Sequence, residues 1–159
     1  MTRVVAAFLL LIATAASAQP SLLGTWQSNA ERSAAFNRQY ARLEERTHLF
    51  LEQILGHSTV VFTRTQVQFD MPDVETVSAE GKRSLLRGFS ERQRYRVLST
   101  TATQAVVEGK QPVTGVLVAT IYNFDGPDTV WVYLAGPGFE RLHAREYFVR
   151  VQQPLKPAQ

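Results

Sequence analysis

The spacing of hydrophobic positions changes once along this chain, near residue 56. Before that point, from Ser28, apolar residues recur every three or four positions, which is the spacing of one face of an α-helix. These residues are Phe36, Tyr40, Leu43, Thr47, Phe50, Leu51 and Ile54. The spacing predicts one helix over about residues 29–55. Ser28 with Glu31 has the spacing of a capping box, and Gly56 suits the left-handed residue that ends a helix.

The rest of the chain alternates with a period of two and predicts short strands. Trp26 lies in a strand before the helix and is expected in the core. After the helix, Val67 and Phe69 share one face of a strand, and residues 125–128 indicate a hairpin turn. The pattern predicts eight to ten antiparallel strands, which favours a closed or nearly closed barrel because closure removes sheet edges. The chain is short for ten long strands, so we expect a small or incomplete barrel.

The first eighteen residues resemble a secretory signal peptide. Arg3 precedes an apolar run from Val4 to Ile12, and Ala16-Ser17-Ala18 is an A-x-A cleavage site. The run is shorter than the about 20 residues that span a bilayer. We therefore predict cleavage after residue 18, one domain over 19–151, a flexible tail over 152–159, and a periplasmic or secreted location. An uncleaved N-terminal anchor is the alternative.

Composition excludes several classes of function. The chain has no cysteine, so it has no disulfide, no thiol nucleophile and no zinc–thiolate site. It has 17 basic and 14 acidic residues. Loss of Arg3 with the signal peptide would leave a net charge too small to argue for nucleic-acid binding.

The order of elements resembles the calycin group, the lipocalins and fatty-acid-binding proteins. The resemblance rests on Gly24-Thr25-Trp26 in the first strand, followed by a helix and a meander of strands. In those families a basic residue of the last strand packs near the tryptophan, and here Arg150 or Arg145 matches it. A helical insert directly after the first strand is most similar to the fatty-acid-binding type. The pattern is also similar to uncharacterised secreted bacterial proteins with lipocalin-like domains.

Three arginines at alternate positions are the first candidate for ligand binding. Arg92, Arg94 and Arg96 share one face of a predicted strand over residues 91–99. If that face points inward, Arg94 and Arg96 would bind a carboxylate or phosphate through paired hydrogen bonds. The resemblance implies such a site, because fatty-acid-binding proteins hold a carboxylate with interior Arg and Tyr. In the alternative, which fits ordinary patterning better, the arginines face water and Tyr95 and Val97 face the core.

Aromatic residues of the last strands are the second candidate. Tyr122, Trp131, Tyr133 and Tyr147 would contact an apolar ligand. Trp131 and Tyr133 share one face of a strand whose other face is also apolar. That strand is therefore either a ligand wall backed by the core or a strand buried on both sides beneath the helix.

The sequence indicates no catalytic or metal site. Glu45 and His48 form a Glu-x-x-His element, but a di-iron site needs a second one, and a solvated helix face explains the pair. Neither a Gly-x-Ser-x-Gly nor a His-Glu-x-x-His motif occurs. We predict no cofactor.

Three functional hypotheses follow. The first is a secreted, non-catalytic binding protein for a small, partly apolar ligand, lipid-like or fatty-acid-like, and anionic if the arginines point inward. The second is an envelope protein-interaction or inhibitor module with a filled barrel, which would present an apolar patch at residues 136–139 with Phe139 at its tip. The third is an enzyme whose site the sequence does not reveal.

Overall fold

A nine-stranded antiparallel sheet curls into a nearly closed barrel. The structure, a computed structural model, describes residues 20–112, 114–134 and 141–151. Its elements are β1 (Gly24–Ser28), α1 (Ala30–Tyr40), α2 (Glu45–Ile54), β2 (Thr59–Phe62), β3 (Gln66–Met71), β4 (Val74–Val77), β5 (Arg83–Leu86), β6 (Phe89–Arg94), β7 (Arg96–Thr100), β8 (Gln104–Lys110), β9 (Leu117–Phe124), β10 (Thr129–Tyr133) and β11 (Arg145–Arg150). The sheet runs β6-β3-β2-β1-β11-β10-β9-β8-β7, and β4 with β5 forms a separate hairpin. The predicted mainly-β, barrel-like class is confirmed.

The core lies inside the barrel, as strand alternation requires. Trp26 is 1% exposed, and its indole N–H donates a hydrogen bond of 2.7 Å to the carbonyl oxygen of Leu22. The buried residues around it come from most of the strands: Val60, Phe62, Val67, Ala105, Val107, Tyr122, Phe124, Val130 and Phe148. The predicted core position of Trp26 is confirmed.

The prediction of a single helix is wrong, because the chain leaves the helix at residue 41. Ala41 has extended backbone (φ −77°, ψ 141°), and the Arg42 N–H donates to the carbonyl of Leu142 instead of to a helical carbonyl. Asn29, not Ser28, caps α1, since its side chain accepts a hydrogen bond from the Arg32 N–H. The predicted end at Gly56 is confirmed by its φ of +96°.

The buried side of α1 is polar and completes the pairing of β11. Strand β1 ends at Ser28, opposite Phe148, so it cannot pair with the first residues of β11. There Asn37 exchanges two hydrogen bonds with the backbone of Arg145, of 2.9 and 2.8 Å, and the Ser33 hydroxyl accepts one from the Tyr147 N–H. The helix thus supplies the hydrogen bonds that a longer β1 would have made.

The predicted continuous strand over residues 91–99 is also wrong. It divides at Tyr95 into β6 and β7, which are the two edges of the sheet. The Gln93 side chain spans the gap, since its amide donates to the Lys110 carbonyl and its oxygen accepts from the Lys110 N–H. Both backbone groups of Lys110 are therefore paired across the seam by one side chain.

Several predictions fall outside the described residues: the signal peptide over 1–18, the tail over 152–159 and the apolar patch with Phe139. Among the described residues, neither helix is both long and apolar enough to cross a membrane.

Candidate functional site

A cavity of about 220 Å³ lies inside the barrel. Its wall is mostly apolar, and its apolar and aromatic members come from seven strands: Val60, Phe62, Val67, Phe69, Phe89, Val107, Val118, Tyr122, Val132, Tyr133 and Phe148. Its volume is below the about 300 Å³ at which sites for drug-sized ligands begin. The space therefore suits a small, largely apolar molecule.

Most of the polar lining residues gather at the end of the barrel nearest the helices. They are Ser58, Thr59, Asp70, Lys110, Gln111 and Glu146, whereas Gln93 and Thr120 line other parts of the wall. The pairing of the strands places them together: Thr59 opposes Asp70, Lys110 opposes the first residue of β9, and Glu146 opposes Val132 near the end of β10. No described residue of α1 or α2 lines the cavity. The cavity thus has an apolar body and one polar end.

Glu146 is an acidic group at that end that two serine hydroxyls hold in place. Its Oε1 accepts hydrogen bonds of 2.6 Å from the hydroxyls of Ser28 and Ser58. Ser28 in turn accepts from the Gly56 N–H at 2.8 Å, which ties this group to the end of α2. Burial raises the pKa of the Glu146 carboxyl, and the two hydroxyl hydrogen bonds offset part of this effect.

Two further polar groups of the wall have perturbed acidities. The pKa of Tyr122 is raised, first by burial and then by the nearby charge of Glu146. The pKa of Asp70 is lowered by hydrogen bonds from the Ser90 hydroxyl and the Gln68 amide, and by the charge of Arg92. The Asp70 carboxylate lies with Gln68 and Arg92 on the outward face of the sheet, so Glu146 is the inward carboxyl group whose ionisation burial opposes.

The arginines of the predicted site lie outside this cavity. Arg94 is exposed, whereas Gln93 and Tyr95 on either side of it line the cavity. The Arg96 guanidinium is also exposed and forms an ion pair of 3.0 Å with Glu108. The arrangement with arginines toward water and Tyr95 inward is the one observed, but the prediction that Val97 faces the core is wrong, because Val97 lies in the edge strand β7 and is 50% exposed. Arg94 and Arg96 are not brought together with the predicted aromatic residues.

The four predicted aromatic residues divide unequally between the two faces of the sheet. Tyr122 faces the cavity, whereas the Tyr133 ring lies with Trp131 on the outward face of β10, although Tyr133 is among the lining residues; Trp131 and Tyr147 do not line the cavity. Trp131 lies beside Tyr133, with ring centroids 5.1 Å apart. Tyr147 is buried and its ring is 5.8 Å from that of Phe36 in α1. Sequence reasoning correctly grouped Trp131 with Tyr133 on one strand face.

Arg145 joins the aromatic residues that lie away from the cavity. Its guanidinium carbon is 3.6 Å from the ring centroid of Trp131 and 4.1 Å from that of Phe36. Its Nη atoms reach the hydroxyls of Tyr147 and Tyr133 at 3.5 and 3.4 Å, and its buried Nε has no hydrogen-bond partner among the described residues. Cation–π contact on two sides thus fixes this arginine between helix and sheet.

Arg150, the other candidate, is the arginine that packs on the core tryptophan. Its guanidinium carbon lies 4.2 Å from the Trp26 ring centroid. It also donates to the carbonyls of Leu23 and Ser21 at 2.6 and 2.7 Å. This arrangement closes the end of the barrel opposite the helices.

Sequence reasoning missed Glu146, although a signal was present. Glu146 and Phe148 share one face of β11 because they are two positions apart, and Phe148 is an obvious core residue. An acidic residue two positions away from a core phenylalanine in the same strand is expected to point inward. The same reasoning applies to Gln93, which shares a strand face with the inward Tyr95.

The described residues contain no group of three or more His, Cys, Asp or Glu side chains placed to hold a metal ion. His48, predicted on a solvated face, is instead buried on α2. Comparison with protein-family models, curated proteins and solved structures finds no match to this chain.

Proposed function

We propose that the protein is a non-catalytic binding protein whose ligand is a small, largely apolar molecule held inside the barrel. The observation that carries the proposal is the cavity of about 220 Å³ with a mostly apolar wall. Preformed apolar cavities with a few converging polar groups are the usual form of small-molecule sites. The filled barrel expected of an interaction module would have left no such space.

The anionic ligand implied by the family resemblance receives less support from this geometry. Lys110 is the one cationic residue among the described lining residues, but it shares the outward face of β8 with Glu108, whose carboxylate pairs with the exposed Arg96. A carboxylate buried without a cation or donors is costly. A fatty-acid-like ligand would therefore bring its carboxylate into a cavity whose inward acidic residue is Glu146.

Membership of the calycin group and export from the cytoplasm are part of the same proposal. The first is supported by Gly24 and Trp26 at the start of the barrel and by Arg150 on the tryptophan ring. The second rests on the signal-like pattern of residues 1–18. A periplasmic or secreted binder of small apolar molecules is consistent with both.

A titration with N-phenylnaphthylamine, a neutral dye that fluoresces in apolar surroundings, tests the binding function. Val118 lines the cavity from β9, and Val118→Trp fills part of the space. We expect this substitution to weaken dye binding by about tenfold or more, since a bound ligand loses most of its contacts. Ile121 lies on the outward face of the same strand and is 47% exposed, so Ile121→Trp is the matched control.

Equal dye binding by Val118→Trp and the unsubstituted protein, with both folded, would contradict the proposal. A loss confined to Ile121→Trp would favour the second candidate, an interaction module. That candidate is supported by the exposed apolar side chains Leu117 and Ile121 on the outside of β9. Its partner would be a protein with a complementary apolar surface.

A further inference from the structure

Glu146 is placed to recognise one end of a ligand in the cavity. It projects from β11 at the polar end, opposite Val132, while the cavity continues past Val132 and Phe148 into an apolar body. A molecule that fills this body from that end would bring one terminus to the Glu146 carboxyl. The terminus would lie at a fixed acid, and the remainder would contact aliphatic and aromatic side chains.

Glu146 can accept a further hydrogen bond in addition to those from the two serine hydroxyls. Both hydrogen bonds that the structure describes for Glu146 are accepted by its Oε1, and their donors are the hydroxyls of Ser28 and Ser58. A carboxylate has about four acceptor positions on its two oxygens. No ion pair among the described residues involves Glu146. The carboxyl is therefore rigidly oriented, lacks a described cationic partner and faces the cavity.

We propose that Glu146 selects an amine: a ligand with a small apolar body and one ammonium group that pairs with this carboxylate. The inference rests on the binding function proposed above and specifies the class of its ligand. A charge-assisted hydrogen bond is roughly twice as strong as one between neutral groups, which favours an ammonium over a hydroxyl group. A carboxylate ligand would instead place a second negative charge beside Glu146.

The inference differs from the fatty-acid expectation in the sign of the ligand charge. The arginines that would have attracted an anion, Arg94 and Arg96, lie on the outer surface. An ammonium at Glu146 would also favour the ionised carboxyl, because an opposite charge nearby offsets the effect of burial. The ammonium group and the Glu146 carboxylate would each provide the opposite charge that the other needs inside the cavity.

Competition between the dye and three ligands of equal chain length tests this inference. Octylamine, octanol and octanoate are titrated at pH 7 against N-phenylnaphthylamine bound to the full chain. We expect octylamine to compete best and octanoate least. Glu146→Gln keeps the size and the hydrogen-bond acceptor, and it should weaken octylamine by about tenfold while octanol changes little. Glu75→Gln, which removes an exposed acidic group of β4 outside the cavity, is the control and should leave the preference for octylamine intact.

The outcomes separate this inference from the function on which it rests. If Glu146→Gln binds the dye and shows the same ratio of octylamine to octanoate affinity as the unsubstituted protein, Glu146 does not select the ligand, although the cavity still binds. If octanoate competes best and Lys110→Met abolishes that preference, the site takes anions and the inference is overturned. If the unsubstituted protein binds neither the dye nor any of the three ligands, both proposals fail.

Discussion

Glu146 has a structural role in addition to the recognition role that we propose for it. The hydroxyls of Ser28 and Ser58 orient it, and through Ser28 it is linked to Gly56 at the end of α2. Burial of an acid is tolerated because one oxygen is satisfied by two donors. The cost of ionising it remains, and this cost has a measurable effect on stability.

The pH dependence of stability should change when Glu146 is replaced by glutamine. The folded protein raises the pKa of this carboxyl above its ordinary value of 4.5. The associated stability is therefore fully present below the pKa of the unfolded chain and is lost as the pH rises through the folded pKa. Relative to Glu146→Gln, the unsubstituted protein should lose about 1.4 kcal/mol for each unit by which the pKa is raised.

Urea unfolding between pH 4 and pH 8 measures this difference. Glu75→Gln, on the exposed side of β4, removes one acidic group at the surface and is the control. A difference between the unsubstituted protein and Glu146→Gln that stays constant over this range would show that the carboxyl does not carry the expected shift.

At the scale of elements, polar side chains of α1 hold the helix against β11 by making the backbone hydrogen bonds that a neighbouring strand would make. Asn37 is 2% exposed and pairs with both backbone groups of Arg145, beyond the end of β1. An apolar stripe therefore does not describe this helix: Tyr40, a member of the predicted stripe, is 57% exposed. The hydrogen bonds of β11 determine which face of α1 is buried.

Asn37→Ala should lower the free energy of unfolding by about 2 to 3 kcal/mol, because it leaves a buried N–H and a buried carbonyl of Arg145 without partners. Gln39, on the same helix, is exposed, and Gln39→Ala should change stability by less than about 0.5 kcal/mol. Chemical denaturation of the two variants measures both. Equal stability would mean that α1 does not pair with β11 in this way.

Much of the strand pattern could be predicted from the sequence, because inward and outward residues alternate. Strand β3 has the predicted inward Val67, and the hairpin between β9 and β10 lies at the predicted turn. The break in the predicted helix at residue 41 and the break in the predicted strand at Tyr95 could not be predicted. The helical spacing continues in phase across residue 41, where Arg42 bonds to the distant Leu142, and the alternation continues through Tyr95, where the sheet has its open seam.

The site was predictable only in part, for a related reason. Tyr122 is buried and lines the cavity, whereas the Tyr133 ring lies with Trp131 on the outward face of β10, and ligand contact by either residue stays a prediction. The arginine stripe was more conspicuous than Glu146, yet it lies on the surface. Which face of a strand points inward depends on how the whole sheet closes, and local sequence gives little information about closure.

At the scale of the whole molecule, closure of the sheet forms the cavity in which we propose that the ligand binds. Gln93 bridges β6 and β8 where backbone pairing is missing, and Arg150 with Trp26 closes the opposite end. The helices are attached beside the barrel and contribute no described lining residue. The proposed binding site is thus a property of the barrel interior.

Methyl NMR spectroscopy of the protein, titrated with octylamine, tests the central claim most directly. Valine methyl groups report on both faces of the sheet. We predict shifts in the cavity valines, Val107, Val118 and Val132, and none in the exposed Val116 and Val151. Shifts confined to the exposed valines, or no shifts at a concentration that saturates dye displacement, would contradict binding inside the barrel.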